Sequence, residues 1–254
     1  MIQALSTALA LLTRLPIPRG AGASPQTQGR SVAMYPVVGL LIGAILWLGA
    51  WLLSLLSAPP LLAAAMLVSV WVAITGALHL DGLADSADAC LGAHGDRERA
   101  LEIMKDPRCG PAAVVALVLV LVLKVAALTA LLAGDAPHWW LVIPPVLGRG
   151  ACAALFLCLG YVRRDGLAAR AAEYLHRPLT VGVLLFAVPV VCLPAGLPGA
   201  VAAAAGLLVL ALAVRHMKRQ LGGFTGDTAG AAVETVEAAC LAALALTLAA
   251  LAAP

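Results

Sequence analysis

Three aspartates lie close together in the sequence, at a spacing that places them on one side of a helix. Asp81, Asp85 and Asp88 are related as i, i+4 and i+7, so at about 100° per residue they occupy a stripe roughly 60° wide. Like charges so placed repel each other, and a cation is needed to offset the repulsion. An oxygen-only cluster favours Mg²⁺, which binds one or two carboxylates together with waters and substrate phosphates. The spacing predicts a Mg²⁺ site, and a solvated helix end with unpaired acids is the alternative.

A histidine precedes this cluster by two residues. With an unperturbed pKa of about 6.5, His79 can take a proton from an attacking hydroxyl group. We therefore predict that His79, Asp81 and Asp85 are catalytic. The alternative is an interfacial histidine at a helix end that has no part in catalysis.

A second acidic segment runs from Asp96 to Asp106. Glu98 and Glu102 are spaced i, i+4, Asp106 continues the row, and Pro107 is expected to end the helix. The segment is amphipathic and is expected to lie on the membrane surface over the first cluster. Glu102 and Asp106 are candidate metal ligands, although an ordinary amphipathic surface helix explains the pattern equally well. The residues that share its other face are Arg97, Leu101, Met104 and Arg108.

A glycine-rich segment lies just before the last apolar run of the chain. Gly222 and Gly223 allow successive backbone N–H groups to point inward as an anion-binding nest, to which Thr225 and the start of the next helix would contribute. Asp227 is placed either to cap that helix or to bind metal. A plain connecting turn is the commoner explanation of such a loop.

The composition shows what kind of protein must position these residues. Of the 254 residues, 63% are hydrophobic and 11% charged, and the mean hydropathy is +1.01, whereas an ordinary globular domain is about 25% charged. We predict an all-α, polytopic membrane protein that forms a single domain over residues 1–254. The six cysteines include no C-x-x-C pair and are interpreted as small buried apolar residues, without a disulfide or a zinc site.

About 20 apolar residues are needed for a helix to cross the hydrocarbon layer. Residues Ile2 to Leu12 are too few and are predicted to form a short interfacial or re-entrant helix. Seven longer apolar runs predict spans: Ala33 to Ser57, Pro59 to Leu78, Pro111 to Ala133, Trp139 to Gly160, Thr180 to Leu193, Pro198 to Val214 and Ala231 to Ala252.

Basic residues give the orientation of these spans. Lys124 and Arg149 lie within spans, where each is expected to face protein, a carboxylate or a water-filled cavity. The other fourteen of the sixteen Lys and Arg lie in the N-terminus and three loops on one face, which the positive-inside rule assigns to the cytoplasm of a bacterial inner membrane. They are Arg14, Arg19, Arg30, Arg97, Arg99, Lys105, Arg108, Arg163, Arg164, Arg170, Arg177, Arg215, Lys218 and Arg219.

At several of these segments the sequence resembles the adenosylcobinamide-GDP ribazoletransferase, or cobalamin synthase, family. The resemblance covers nearly the whole chain, and several motifs occur in the order and spacing of that family. The motifs are Thr13 to Pro18, Tyr35 to Gly39, His79 to Asp88, Leu101 to Asp106, and Gly222 to Asp227 with Gly230 and Ala231.

The resemblance implies a transfer reaction in which a hydroxyl of α-ribazole, or of its 5′-phosphate, attacks adenosylcobinamide-GDP and GMP leaves. It implies Mg²⁺ as cofactor, membrane lipid but no nucleic acid as partner, and either a homo-oligomer or association with other enzymes of the cobalamin pathway. Asp81, Asp85 and Asp88 would hold the metal, with Glu102, Asp106 and Asp227 as further ligands or as residues behind them. Phosphates would be bound by Lys105, Arg108, Lys218 and Arg219.

Two other classes of protein share part of this pattern. A CDP-alcohol phosphotransferase or a membrane prenyltransferase uses the same Mg²⁺-diphosphate chemistry, although the Ala-Arg element expected of the former is absent after Asp85. A transporter is the alternative from a different class, and it is supported only by the charges of Lys124 and Arg149 within spans.

Overall fold

The computed structural model describes residues 1–16, 23–134, 136–163, 165–166 and 168–252. Arg19, Asp135, Arg164 and the Ile17-Pro18 end of the first motif lie outside these residues. Over the described ranges the chain is helical without any strand, so the all-α prediction is confirmed. The helices are α1 (Ile2–Leu12), α2 (Pro25–Ser31), α3 (Tyr35–Leu55), α4 (Pro60–Thr75), α5 (Leu78–Gly92), α6 (Arg97–Ile103), α7 (Pro111–Ala133), α8 (Ile143–Cys158), α9 (Ala169–Glu173), α10 (Arg177–Cys192), α11 (Gly196–Leu221) and α12 (Gly226–Ala252).

Several of these helices are long and apolar enough to cross a membrane, so the protein is a multi-pass membrane protein. A further span exists only if α4 and α5, which are bent by 89° relative to each other, are taken together. By length and composition the described residues give five spanning segments: Pro25–Leu55, Pro111–Ala133, His138–Cys158, Arg177–Leu221 and Gly226–Ala252. The N-terminal α1 is the short apolar helix that the sequence predicts.

The predicted count of seven spans falls to six because the Arg177–Leu221 segment counts once, and to five when the bent pair of α4 and α5 is left out. The sequence divides this segment into two spans, and α10 and α11 are indeed separated by a break at Leu193–Ala195. Residues of both helices line a single cavity, among them Leu184 and Val188 of α10 and Ala203 and Leu207 of α11. The two helices therefore fold back against each other.

The second predicted span and the acidic segment that follows it belong to separate helices. Helix α4 ends at Thr75, and both Gly76 (φ 61°) and Ala77 (φ 57°) have left-handed backbone conformations. Gly76 also has no room for a side chain, since a Cβ atom there would collide with the side chain of Arg14. Because of this bend, α5 is not one of the five spanning segments, and it carries its aspartates away from the axis of α4.

Small residues allow helix α12 to pack closely against its neighbours α5, α7, α8 and α11. A Cβ atom on Gly82 of α5 would lie 2.6 Å from the backbone oxygen of Asp227, and one on Gly230 of α12 would lie 3.0 Å from the backbone oxygen of His79. Without side chains at these two positions, the backbones of α5 and α12 come into direct contact. This contact places the start of α12 beside the acidic helix.

The two cations within spans are paired, as expected from the cost of an isolated charge in the membrane. Lys124 of α7 donates to Glu234 and Glu237 of α12, each at 2.6 Å, and Arg149 of α8 pairs with Glu237. The Lys124 ammonium also lies 4.4 Å from the centre of the Trp71 ring. Two cations and two carboxylates thus form a buried cluster with balanced charge.

All six cysteines have free thiols in this structure. Cys152, Cys192 and Cys240 are buried as predicted. The prediction of burial is wrong for the other three, because they lie at helix ends or in loops near the surface: Cys90, Cys109 and Cys158.

Candidate active site

Acidic residues from two distant parts of the chain meet where α5 and α12 cross. Asp81 and Asp85 project from the first two turns of α5, and Asp227 lies in the first turn of α12. The backbone of Asp227 touches α5 at Gly82. The predicted convergence of the His79–Asp88 segment with Asp227 is therefore present in the fold.

Burial and neighbouring charges alter the acidity of Asp85. Partial burial contributes most, and the carboxylates of Asp81 and Asp227 add to it, so that the pKa of Asp85 rises to about 6. The guanidinium of Arg163 acts in the opposite direction. The cluster therefore carries more negative charge than its surroundings balance, as expected of residues that bind a cation.

Arg163 is a site residue that the sequence analysis does not single out. It lies in the loop after α8, pairs with Asp227 at 2.8 Å and donates to the backbone oxygen of Met104 at 3.4 Å. In the sequence it counts only as one of many cytoplasmic cations. The one feature of the sequence that could have indicated a role for Arg163 is its position a few residues after a span. Nothing in the spacing links it to Asp227, which lies more than 60 residues later.

Asp88 has a different environment from the other two aspartates of α5. Its two carboxylate oxygens accept hydrogen bonds from the backbone N–H groups of Gly110 (2.6 Å) and Ala113 (3.0 Å). Gly110 immediately precedes α7 and Ala113 lies in its first turn, where N–H groups have no partner within the helix. Asp88, predicted as a metal ligand, therefore caps α7 in this structure.

The acids of α6 are not brought into the cluster. Asp96 caps α6 through the N–H of Arg99, and α6 buries Ala100 against α5, as an amphipathic helix does. Glu102 is exposed and pairs with Arg99 at 3.4 Å. Asp106 accepts from Arg108 at 2.6 Å, and these hydrogen bonds lower the pKa of Asp106 to about 2.

The glycine-rich segment is held by backbone pairing instead of forming an open nest. The N–H of Phe224 donates to Gly160 (3.0 Å) and its oxygen accepts from Val162 (2.9 Å). Thr225 is fully buried, and its N–H donates to the hydroxyl of Thr228. Among the predicted phosphate ligands, Gly223 packs against Gly160, whereas four lie on the surface: Lys105, Lys218, Arg219 and Gly222.

A cavity of about 340 Å³ adjoins the acidic cluster. His79, Asp81, Arg163 and Asp227 all contribute to its wall. His79 is buried, and its Nδ1 atom has no hydrogen-bond partner among the described residues. Burial, followed by the charges of Arg149 and Lys124, lowers the pKa of His79, so its imidazole is neutral near pH 7.

The sequence comparisons identify the family that carries this site. The model of the cobalamin-5-phosphate synthase family matches residues 4–245. The chain belongs to the cobalamin-5-phosphate synthase family. It is therefore a transferase and an enzyme of cobalamin synthesis. No solved structure matches the chain.

Three similar proteins carry the same name. The adenosylcobinamide-GDP ribazoletransferase of Stutzerimonas stutzeri (strain A1501) is 54% identical over 242 residues, which cover 95% of this chain and 97% of the relative. The proteins of the same name from Pseudomonas entomophila (strain L48) and Pseudomonas aeruginosa (strain PAO1) are 51% and 49% identical, and cover 94% and 96% of this chain. These alignments span 97% and 98% of those two relatives.

The donor set of this cobalamin-5-phosphate synthase family member suits a hard divalent cation. In the part of the chain that the structure describes, no three Asp, Glu, His or Cys side chains are close enough to enclose a metal ion. Mg²⁺ does not need such an enclosure, because it keeps several waters and binds through one or two carboxylates and substrate phosphates. Asp81, Asp85 and Asp227 beside an open cavity fit that mode of binding.

Proposed function

We propose that this enzyme joins adenosylcobinamide-GDP to α-ribazole or α-ribazole 5′-phosphate and releases GMP, in a reaction that requires Mg²⁺. The observation that carries the proposal is the meeting of Asp81, Asp85 and Asp227 beside a cavity that also contains His79 and Arg163. The names of the relatives supply the substrates. We further propose that this face of the protein lies on the cytoplasmic side of a bacterial inner membrane, in accord with the distribution of Lys and Arg.

In the proposed reaction a hydroxyl oxygen of the acceptor forms a bond to the phosphorus next to cobinamide, and the bond from that phosphorus to GMP breaks. Asp81, Asp85 and Asp227 would hold Mg²⁺. When bound, the ion neutralises charge on the diphosphate and on the departing GMP.

The remaining groups of the site have roles that follow from their positions. Arg163 is a charge-assisted donor to a phosphate oxygen, as a guanidinium commonly is. The neutral imidazole of His79 accepts the proton that the attacking hydroxyl loses, through the Nδ1 atom that has no partner among the described residues. Lys105, Lys218 and Arg219 are exposed on the same face and attract the anionic substrate.

The proposed Mg²⁺-dependent reaction is tested by substitution of Asp85. Asp85→Ala is expected to abolish Mg²⁺-dependent release of GMP, measured on purified protein in detergent, while the variant still inserts in the membrane and elutes as a folded protein. Glu98→Ala is the matched control, since Glu98 is an exposed carboxylate on neighbouring α6 whose only ion pair among the described residues is with Arg97. Full activity of Asp85→Ala would remove the assignment of this residue to the metal site.

The transporter interpretation loses its specific support in this fold. Lys124 and Arg149 form ion pairs with Glu234 and Glu237, and none of the four lines the cavity beside the acidic cluster. Protein reconstituted in liposomes separates the two functions. We expect release of GMP from the nucleotide-activated corrinoid without flux of substrate across the bilayer.

A further inference from the structure

Most of the phenylalanine and tyrosine in this chain is gathered at one place. The sequence contains only three Phe and three Tyr, and four of these six line the cavity beside the acidic cluster: Tyr35, Phe156, Tyr161 and Phe224. Their rings form an edge-to-face series, with centroid distances of 6.1 Å from Tyr35 to Phe156, 4.9 Å from Phe156 to Phe224 and 5.2 Å from Phe224 to Tyr161. Sites that bind small organic molecules are lined mainly by apolar and aromatic side chains.

The rest of the wall is divided between apolar and charged side chains. Leu12, Leu78, Cys152 and Ala229 contribute apolar surface. Asp81, Asp227 and Arg163 line the same cavity, so a molecule in it reaches the residues proposed to act on the diphosphate. A ligand that fits this cavity therefore has an apolar part and a polar part, and the polar part lies next to the residues proposed to bind the diphosphate and the metal.

The wall of the cavity also contains a buried polar atom that has no hydrogen-bond partner among the described residues. His79 is only 3% exposed, and its Nδ1 atom has no hydrogen-bond partner among the described residues. A buried polar atom without a partner costs free energy unless a ligand or a water supplies one. A hydroxyl group of a ligand in the cavity would meet this need.

The volume of the cavity, about 340 Å³, limits what it can hold. It lies near the lower end of the range of about 300 to 1,000 Å³ for sites that enclose small organic molecules. A two-ring base with an attached ribose is of this size, whereas a corrinoid is several times larger.

We propose that this cavity binds the acceptor nucleoside, with its benzimidazole base among Phe156, Tyr161 and Phe224 and its ribose toward His79 and the acidic cluster. This inference rests on the proposed function and adds to it the place of one of the two substrates. The base contributes affinity through stacking and apolar contact. The ribose presents the attacking hydroxyl next to the group that takes its proton.

The test fills the cavity without removing a group of the acidic cluster. Ala168 lines the cavity from the loop before α9 and is partly exposed, so Ala168→Trp places a bulky ring at the cavity. The neighbouring Ala169 is also partly exposed but does not line the cavity, and Ala169→Trp is the matched control. A third variant, Tyr161→Leu, removes one aromatic face.

Two measurements are made on each variant in detergent. The first is the binding of α-ribazole by titration calorimetry, without corrinoid and without Mg²⁺, and the second is the KM for each substrate in the complete reaction. Loss of base stacking costs about 1 to 3 kcal/mol, which corresponds to about 5-fold to 160-fold in affinity. We expect Ala168→Trp and Tyr161→Leu to weaken α-ribazole binding and raise its KM at least about fivefold, whereas Ala169→Trp leaves both unchanged and no variant changes the KM for adenosylcobinamide-GDP.

Other results would overturn the assignment. If both cavity variants bind α-ribazole as the parent protein does, the nucleoside binds elsewhere. If their KM rises only for adenosylcobinamide-GDP, or if GMP displaces α-ribazole from the parent protein, the cavity belongs to the nucleotide-bearing substrate. Failure of the proposed function is a separate outcome, because it is seen as absence of GMP release from the parent protein whatever the calorimetry gives.

Discussion

Asp85 and Asp88 lie on the same face of α5 but differ in what their oxygens contact. The carboxylate of Asp88 accepts hydrogen bonds from the backbone N–H groups of Gly110 and Ala113. For Asp85, partial burial and then the neighbouring carboxylates of Asp81 and Asp227 raise the pKa to about 6. The sequence spacing predicts the shared face correctly. It cannot distinguish a capping residue from a metal ligand, because the start of α7 is more than 20 residues away along the chain.

Asp88→Ala is expected to destabilise the protein, because it leaves two N–H groups at the start of α7 without their acceptor. The loss of a helix cap costs about 1 kcal/mol, and the melting temperature in detergent is the measurement. Asp88→Asn keeps an acceptor oxygen and is expected to lose less. If Asp88→Ala melts like the parent protein but needs far more Mg²⁺ for activity, Asp88 is a metal ligand as the sequence predicts.

The sequence indicates that the predicted phosphate-binding residues share one face of the membrane. It does not indicate which of them are already paired or buried. Arg108 is paired with Asp106, and Thr225 is buried immediately before α12. The cation that pairs with Asp227 is Arg163, which is not among the predicted phosphate-binding residues. Pairing between loops depends on the positions of whole helices, and local spacing carries no information about it.

At the scale of elements, the bend between α4 and α5 determines where the acids lie. A hydrophobic run predicts that a helix exists, and it does not predict that the helix turns through 89°. The available signal is Gly76, whose positive φ and lack of a Cβ atom permit the turn beside Arg14. The fold-back of α10 on α11 was easier to predict, because two prolines and a glycine interrupt the apolar sequence there.

Gly76→Ala is expected to lower both stability and activity. A left-handed conformation costs an L-residue roughly 1 to 2 kcal/mol, and at Gly76 the added methyl group also collides with Arg14. Gly95→Ala is the matched control, since Gly95 has φ 87° but no heavy atom within 4 Å of its Cβ position. The melting temperatures of the two variants decide the matter, and an equal loss in both would show that the Arg14 contact contributes nothing.

At the scale of the whole molecule, the buried ion pairs connect α7 and α8 to α12, the helix that carries Asp227. Lys124 belongs to α7, Arg149 to α8, and Glu234 and Glu237 to the same helix as Asp227. From the sequence, each cation is expected to face protein, a carboxylate or a water-filled cavity, and the last span offers two glutamates. Which cation pairs with which glutamate is set by the packing of α12 among four helices, which the sequence alone does not give.

Lys124→Met is expected to destabilise the protein by about 3 to 5 kcal/mol, because it leaves a buried negative charge without its partner. The double variant Lys124→Met, Glu234→Gln restores the balance of charge and should recover much of that loss. Thermal unfolding of the parent, the two single variants and the double variant gives the coupling energy. Additive effects would mean that the two residues do not interact.

The proposed orientation predicts which cysteines can be labelled from each side of the membrane. Cys90 and Cys109 are exposed at the face of the acidic cluster, and Ser57 is exposed at the opposite end of α3. A membrane-impermeant maleimide should label Ser57→Cys in intact spheroplasts, and should label Cys90 and Cys109 only in inverted vesicles. The reverse pattern would place the site outside the cytoplasm.

The contact of Gly82 and Gly230 at the crossing of α5 and α12 has a consequence for the precision of the enzyme. With no side chain between the two helices, main-chain thickness alone sets how far apart Asp81 and Asp227 are anchored. Rotamer changes in surrounding residues cannot widen this gap. The spacing on which catalysis depends is thus fixed by the least adjustable part of the polypeptide, and a single methyl group at either glycine would alter it.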